Sequence, residues 1–87
     1  MKHRKSEDFR KFFDALPKAI QVKANKQFQL LKMDIKYPSL HFKKVAGQEG
    51  RWSVRVDANY RVLGYESASE IVWYWIGSHS EVDKMLK

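Results

Sequence analysis

The sequence contains no cysteine, so neither disulfides nor thiolate zinc sites are possible. It also has no apolar run near the roughly 18 residues that a membrane-spanning helix needs. The first residues, Met-Lys-His-Arg-Lys, lack the apolar segment of a signal peptide. These absences predict a protein of the reducing cytoplasm that has no membrane partner.

Several kinds of catalytic site are missing as well. His3, His41 and His79 are scattered, without metal-ligand spacing and without a carboxylate cluster. Gly47 and Gly50 do not form a phosphate-binding loop that opens a helix. No close pair of carboxylates indicates a glycosidase. We therefore expect neither a metal nor a cofactor, and metal-free phosphoryl chemistry is the reaction class that remains.

What the sequence does have is positive charge on a chain with enough apolar residues to fold. Seventeen Lys and Arg residues stand against ten Asp and Glu, giving a net charge of +7 over 87 residues, of which 44% are hydrophobic and 14% aromatic. This excess favours a polyanionic partner, either nucleic acid, the ribosome or an acidic protein segment. The simpler alternative is that the charge only maintains solubility.

Hydrophobic spacing predicts the order of helices and strands. Apolar residues recur at helical spacing after Ser6 and again after Pro17, and further along they alternate with polar residues as in strands. Ser80, with Asp83 three residues later, resembles a capping box for a last short helix. The predicted elements are helices over 7–16 and 17–33, a short strand or extended loop over 39–45, strands over 51–56, 60–65 and 71–76, and a helix over 80–86.

This order predicts an α+β fold in a single domain over residues 1–87. Two N-terminal helices pack on one face of an antiparallel sheet of three to four strands, and a short helix lies at the C-terminal end. Residues 1–5 are polar and form an edge strand at most. The strand over 71–76 is apolar on both faces, which indicates a central strand that is covered on both sides.

Three residues, Arg55, Arg61 and His79, are candidates for binding a phosphodiester and for cleaving it. Arginine is always protonated and forks onto phosphate oxygens, so Arg55 and Arg61 suit positioning and charge stabilisation. His79 is the candidate acid or base, because imidazole is the side chain that exchanges protons near neutral pH. The alternatives are structural: a histidine that caps or hydrogen-bonds, and an ion pair of Arg61 with Asp57 or Glu66.

Three fragments of the sequence together resemble a known family. Trp-Ser-Val-Arg-Val, Asn-Tyr-Arg-Val-Leu and Ile-Gly-Ser-His, preceded by two helices, are similar to the RelE/ParE superfamily of type II toxin–antitoxin toxins, and the resemblance covers residues 9–86. It implies a microbial-RNase-like α+β toxin that a cognate acidic antitoxin neutralises. It also implies, for a RelE-type member, cutting of messenger RNA in the ribosomal A site with basic strand residues and no metal.

The resemblance implies roles for individual residues. Arg61 matches the family's Tyr-Arg arginine, Arg55 takes the place of a strand lysine, and His79 takes the place of the basic residue after Ile-Gly-x. The residues expected to bind RNA or the ribosome are Lys43, Lys44, His41 and Arg51.

Two departures from the family pattern leave the activity open. Ser53 stands where RelE-type enzymes often have a second lysine, and Val82 and Asp83 stand where a tyrosine is expected. The first hypothesis is a ribosome-dependent endoribonuclease that cleaves messenger RNA. The alternatives are a ParE-like toxin that inhibits DNA gyrase without chemistry, and a degenerate, non-toxic binding module. A fold that is shared by several activities does not choose among them.

Overall fold

A computed structural model describes residues 2–85 of the chain. Nine elements follow one another along it, one of them a single 3-10 turn. They are β1 (Lys2–Lys5), α1 (Glu7–Asp14), α2 (Lys18–Met33), the 3-10 turn (Pro38–Leu40), β2 (Lys43–Lys44), β3 (Arg51–Arg55), β4 (Tyr60–Ser67), β5 (Glu70–Ser78) and α3 (His79–Met85). Leu86, the predicted end of the last helix, lies outside the described residues.

The strands form one mixed sheet in the order β1-β5-β4-β3-β2. β1 runs parallel to β5, and the other neighbours are antiparallel. The α+β class is confirmed, while the sheet is mixed and has five strands, rather than antiparallel with three to four. The additional strand is β1, which lies at the edge of the sheet next to β5. Its residues are all polar, so they lack the alternation of apolar and polar residues that predicts a strand. Its backbone pairs with β5, and Arg4 adds an ion pair to Glu70 at 3.0 Å.

The two N-terminal helices begin and join as the sequence predicts. The Phe9 N–H donates to Ser6 Oγ at 3.1 Å, which satisfies one of the free amide groups at the start of α1. The Gln21 side-chain amide donates to the Phe13 carbonyl oxygen at 3.1 Å, and so ties α2 to the end of α1. The apolar residues of α2, including Phe28, then pack onto the sheet.

The main core lies between these helices and one face of the sheet. Its buried residues are Phe9, Ala24, Phe28, Leu31, Leu40, Val54, Val56, Val62, Ile71, Trp73 and Ile76. Trp73 is fully buried, and its ring lies over Gly64 of the neighbouring strand, where a Cβ would come within 2.6 Å of the indole Cε3. Glycine at this position is therefore required by the packing of Trp73.

A second, smaller core lies on the opposite face of the sheet. An irregularity in the pairing between β4 and β5 at Leu63 places Trp75 on this face, although Trp73 faces the helices. Leu63 and Trp75 pack there against Val82 of α3 and against Val45. β5 is thus covered on both of its faces, as its apolar pattern predicts.

The start of α3 differs from the predicted one. Ser78 forms the capping box with Glu81: its Oγ accepts from the Glu81 N–H at 3.3 Å and donates to the Glu81 carboxylate at 3.0 Å. The prediction that Ser80 caps the helix is wrong by two residues. Ser78 and Ser80 are each followed three residues later by an acidic residue, so both fit the capping pattern, and the structure uses Ser78. His79 is therefore the first residue of α3 and not a strand residue.

Candidate functional site

The sheet register brings Arg61 and His79 together on the second face. Arg61 pairs with Gly77 near the end of β5, and the chain turns directly afterwards into α3, which begins at His79. The Arg61 Nε–H donates to His79 Nδ1 at 3.1 Å. Arg61 makes no ion pair among residues 2–85, so the predicted structural alternative with Asp57 or Glu66 is not what holds it.

These two residues line a cleft that combines cations with a partly apolar floor. Leu63 and Val82 contribute the apolar floor, and Ser53 is 5% exposed beneath the cleft. The complete lining, called the Arg61–His79 cleft below, is Lys43, Lys44, Val45, Ala46, Ser53, Arg61, Leu63, His79, Val82 and Asp83. Two lysines and one arginine therefore face a single carboxylate in this cleft.

One donor of Arg61 has no partner. Its Nη1 is buried and makes no hydrogen bond to any group of the described chain. A buried donor left unpaired costs on the order of 1–3 kcal/mol, so native proteins rarely retain one without a reason. An anion that enters the cleft would accept from this nitrogen only once the guanidinium turns toward it, and the unpaired donor favours that movement.

The neighbours of His79 determine which of its nitrogens carries the proton. Because Nδ1 accepts from Arg61, the lone pair is on Nδ1 and the proton is on Nε2. Nε2 lies 3.6 Å from the Asp83 carboxylate, one helical turn further along α3. From the sequence, Asp83 is predicted to be the capping partner of Ser80 and to replace an expected tyrosine, and not to be a neighbour of His79. Its spacing of four residues from His79 on one helix was the signal for this contact.

Arg55 does not line the same cleft. It is the direct cross-strand partner of Arg61, so their Cβ atoms are about 5 Å apart, but its Nη1 lies 3.5 Å from His41 Nε2. His41 adopts a left-handed backbone conformation (φ 46°) at the end of the 3-10 turn. Of the three predicted catalytic residues, Arg61 and His79 therefore form one pair, whereas Arg55 is paired with His41.

The Arg55–His41 pair borders a depression against α2, whose charges partly cancel. Lys23 and Lys26 of α2 line it, and the Lys23 ammonium lies 3.3 Å from the Asp57 carboxylate. Burial raises the pKa of Asp57, but hydrogen bonds from the Asn59 and Tyr60 N–H groups and from Lys23 outweigh it, so the pKa lies below its usual value. Asp57 is therefore an anion that weakens the attraction of this depression for phosphate.

The remaining predicted RNA-binding residues are in different surroundings. Lys43 and Lys44 both line the Arg61–His79 cleft. The Arg51 guanidinium instead lies 5.3 Å from the ring centres of both Tyr65 and Tyr74, at the other end of β3. The attraction of a cation to two aromatic faces explains its position without a ligand.

No three His, Asp or Glu side chains in the described part of the chain converge in a way that would hold a metal ion. Among residues 2–85, no helix has both the length and the apolar character that crossing a membrane requires.

Comparison with known proteins places this geometry in context. A family model described as the ParE-like toxin domain matches residues 18–84. No curated protein matches significantly.

Solved structures of similar fold include three toxins. The RelB–RelE antitoxin–toxin complex from Methanococcus jannaschii matches with a TM-score of 0.76 at 14% identity, covering 97% of this chain and 99% of that chain. The isolated RelE toxin of E. coli matches with a TM-score of 0.66 at 13% identity (99% and 98% covered), and a YoeB/ParE toxin from Agrobacterium tumefaciens with 0.67 at 18% (91% and 99%). At such identities the likeness shows the fold.

Proposed function

Because this chain belongs to the ParE-like toxin family, within the RelE/ParE superfamily of type II toxin–antitoxin toxins, we propose that it is a ribosome-dependent endoribonuclease that cleaves messenger RNA without a metal ion. The observation that carries the proposal is the Arg61 guanidinium, which lines the cleft with Lys43 and Lys44 and makes no ion pair among residues 2–85. A phosphodiester supplies the acceptor oxygens and the negative charge that this arrangement attracts.

Phosphate binding in the cleft would change the surroundings of His79. A phosphate that accepts from the Arg61 Nε–H takes the place of His79 Nδ1 as its acceptor and so frees the Nδ1 lone pair. His79 then takes the proton of the 2′-hydroxyl, and Asp83 next to Nε2 stabilises the imidazolium that forms. Such a positioned base contributes roughly 100- to 10,000-fold to the rate.

The reaction is a transfer of the phosphodiester within the RNA itself. The 2′-oxygen attacks phosphorus, the bond from phosphorus to the 5′-oxygen breaks, and a 2′,3′-cyclic phosphate forms. The leaving 5′-oxygen takes a proton from the Lys43 ammonium, so that a 5′-hydroxyl end results. Arg61 and Lys44 stabilise the charge of the pentavalent intermediate, a contribution of roughly 100- to 1,000-fold for one well-placed donor.

Primer extension on cells in which the protein is induced tests this activity. Wild-type protein and the control Lys18→Gln, which removes an exposed lysine of α2 that does not line the cleft, should give cuts within translated codons. Arg61→Gln should give none. Growth arrest with intact transcripts would contradict the proposal.

The second candidate function is inhibition of DNA gyrase. Two observations favour it: the matching family model is ParE-like, and Ser53 contributes a neutral hydroxyl where RelE-type enzymes often have a lysine. Purified protein would then block supercoiling by gyrase while leaving ribosome-bound messenger RNA intact. Running both assays on one preparation separates the two candidates. A nuclease should leave gyrase active, and a gyrase inhibitor should leave the messenger RNA intact.

We further propose that a cognate acidic antitoxin covers the cleft and that the protein acts in the cytoplasm, where both candidate targets are found. The basic lining of the Arg61–His79 cleft suits an acidic segment that folds on binding. RelE relatives from Methanococcus jannaschii and Pyrococcus horikoshii form complexes with RelB. Co-purification with the product of a neighbouring gene, reduced by Arg61→Gln, is the expected result, and a product that binds nothing would contradict it.

A further inference from the structure

A second concentration of positive charge lies at the opposite edge of the sheet, around β1. Side chains from β1, α1 and α2 meet there in a depression whose floor is formed by Phe28 and Trp73. Its cationic members, with His3, are called the N-terminal basic cluster below: Lys2, His3, Arg4, Lys5, Arg10 and Lys32.

The carboxylates nearby do not balance this charge. Glu70 is the acidic residue that lines the depression, and it is already paired with Arg4 at 3.0 Å. Glu7 and Asp8 lie in the first turn of α1 and do not line it. Five lysines and arginines therefore face one carboxylate.

The charged forms of two members are disfavoured in the folded protein. Burial lowers the pKa of Lys5, and the charges of Lys32 and Arg10 lower it further. Burial and nearby positive charge, including that of Lys32, lower the pKa of His3 in the same direction. His3 is fixed in place by the Trp73 indole N–H, which donates to its Nδ1 at 3.2 Å. The cations are thus held close to one another against their mutual repulsion, which a bound anion would relieve.

The N-terminal basic cluster and the Arg61–His79 cleft are on different sides of the molecule. β1 pairs with the first half of β5, from Glu70 to Trp73, whereas Arg61 pairs with Gly77 near its end. Trp73 and Gly77 are four positions apart along β5, which corresponds to about 13 Å of strand. Trp73 faces the helices, while the cleft lies on the opposite face of the sheet.

We propose that the N-terminal basic cluster binds the phosphate backbone of RNA, at a site separate from the Arg61–His79 cleft, so that the protein holds RNA on two sides. The chemistry of the cluster favours nucleic acid over an acidic peptide. Its apolar members are buried beneath the cations, with Phe28 only 4% exposed and Trp73 fully buried. A peptide would therefore find no apolar pocket to anchor it, whereas phosphates need only the charge.

Charges on an edge strand also prevent strands of different molecules from pairing, and this explains Lys2 and Arg4. It does not explain Arg10 and Lys32, which come from α1 and α2 and lie beside the same depression. The convergence of cations from three elements is what points to a ligand.

The test is a salt titration of RNA binding that does not depend on cleavage. The probe is a short, fluorescently labelled, single-stranded 2′-O-methyl RNA, which lacks the attacking hydroxyl, and the readout is anisotropy. All proteins carry Arg61→Gln, so that a change in binding does not arise in the cleft. The cluster variant adds Lys2→Gln, Arg10→Gln and Lys32→Gln.

The matched control removes the same charge from exposed lysines elsewhere, with Lys11→Gln, Lys18→Gln and Lys36→Gln. The slope of log K against log salt should become shallower by about 2 in the cluster variant, at roughly 0.7 per lost phosphate contact, and should stay unchanged in the control. Arg10→Lys with Lys32→Arg should keep the full slope, which separates loss of charge from misfolding.

Three results would overturn the proposal: an unchanged slope in the cluster variant, an equal loss in both triple variants, or cluster-dependent binding of polyglutamate without binding of the RNA. Because the probe is not cleavable, none of these results depends on whether the protein is a nuclease. Failure of the cleavage proposal would in turn leave this one standing.

Discussion

Replacing Gly77 by alanine should destabilise the protein by overpacking the second core. A Cβ at this position would lie 2.6 Å from Trp75 Cη2, a separation that packed carbon atoms do not adopt. Trp75 is only 5% exposed and is held between Leu63 and Val82, so its ring has little room to withdraw. Gly77 does not have a left-handed φ, so the steric contact and not the backbone is the source of the effect.

Two opposing contributions set the magnitude. Overpacking a well-filled core costs about 1–3 kcal/mol. Alanine also restricts the unfolded chain more than glycine does, which returns about 0.4–1 kcal/mol. The free energy of unfolding should therefore fall by about 1–2 kcal/mol. At roughly 4–8 °C per kcal/mol for a domain of this size, the melting temperature falls by roughly 4–16 °C.

Thermal and urea unfolding followed by circular dichroism measure this effect, and a second background isolates its cause. Trp75→Phe removes the ring atoms that approach position 77, so Gly77→Ala should cost much less in that background than in the wild type. An equal cost in both backgrounds, or no cost in the wild type, would show that contact with Trp75 is not what requires glycine here.

Three other substitutions test the contacts that hold the two faces of the sheet in place. Gln27→Leu should cost on the order of 1–3 kcal/mol for each carbonyl left unpaired, because the buried Gln27 amide donates to Ser39 O at 3.0 Å and Arg55 O at 2.8 Å; urea unfolding measures it. Ser78→Ala should cost about 1 kcal/mol by loss of the cap of α3, whereas Ser80→Ala, its matched control, should be nearly neutral in the same assay. Asp57→Ala should destabilise the protein at neutral pH by an amount that shrinks in acid. The folded-state pKa of Asp57 is lowered, so its stabilisation is complete above the ordinary carboxyl pKa, near 3.9, and is lost as pH falls through the folded value. A difference from wild type that stays constant from pH 7 to strong acid would refute this assignment.

Local signals were enough to predict the helices and most of the sheet. The apolar spacing of α1 and α2, with Ser6 before the first and Pro17 before the second, marks elements whose stability comes from one buried stripe. β1 is different, because its four polar residues have no apolar face. Its strand conformation comes from backbone pairing with β5, and a short segment does not reveal such pairing.

The candidate site was predictable as a set of residues but not as an arrangement. The predicted strands over 51–56 and 60–65 contain Arg55 and Arg61, and the register of β3 and β4 places the two residues opposite each other. The alternation of apolar and polar residues does not predict that Arg61 contacts His79 and that Arg55 contacts His41. The start of α3 at His79 depends on the choice between two equivalent capping boxes, and the position of His41 depends on its left-handed backbone.

Cleavage of messenger RNA on purified ribosomes is the most direct test of the proposal that Arg61 binds the reacting phosphate. Wild-type protein and Lys18→Gln should cut a ribosome-bound messenger RNA at the same rate, and the products should end in a 2′,3′-cyclic phosphate and a 5′-hydroxyl. Arg61→Gln should cut at least about 100-fold more slowly, because the substitution removes the guanidinium that lines the cleft. Cutting by Arg61→Gln at the wild-type rate, or an intact messenger RNA with the wild-type protein, would contradict the account.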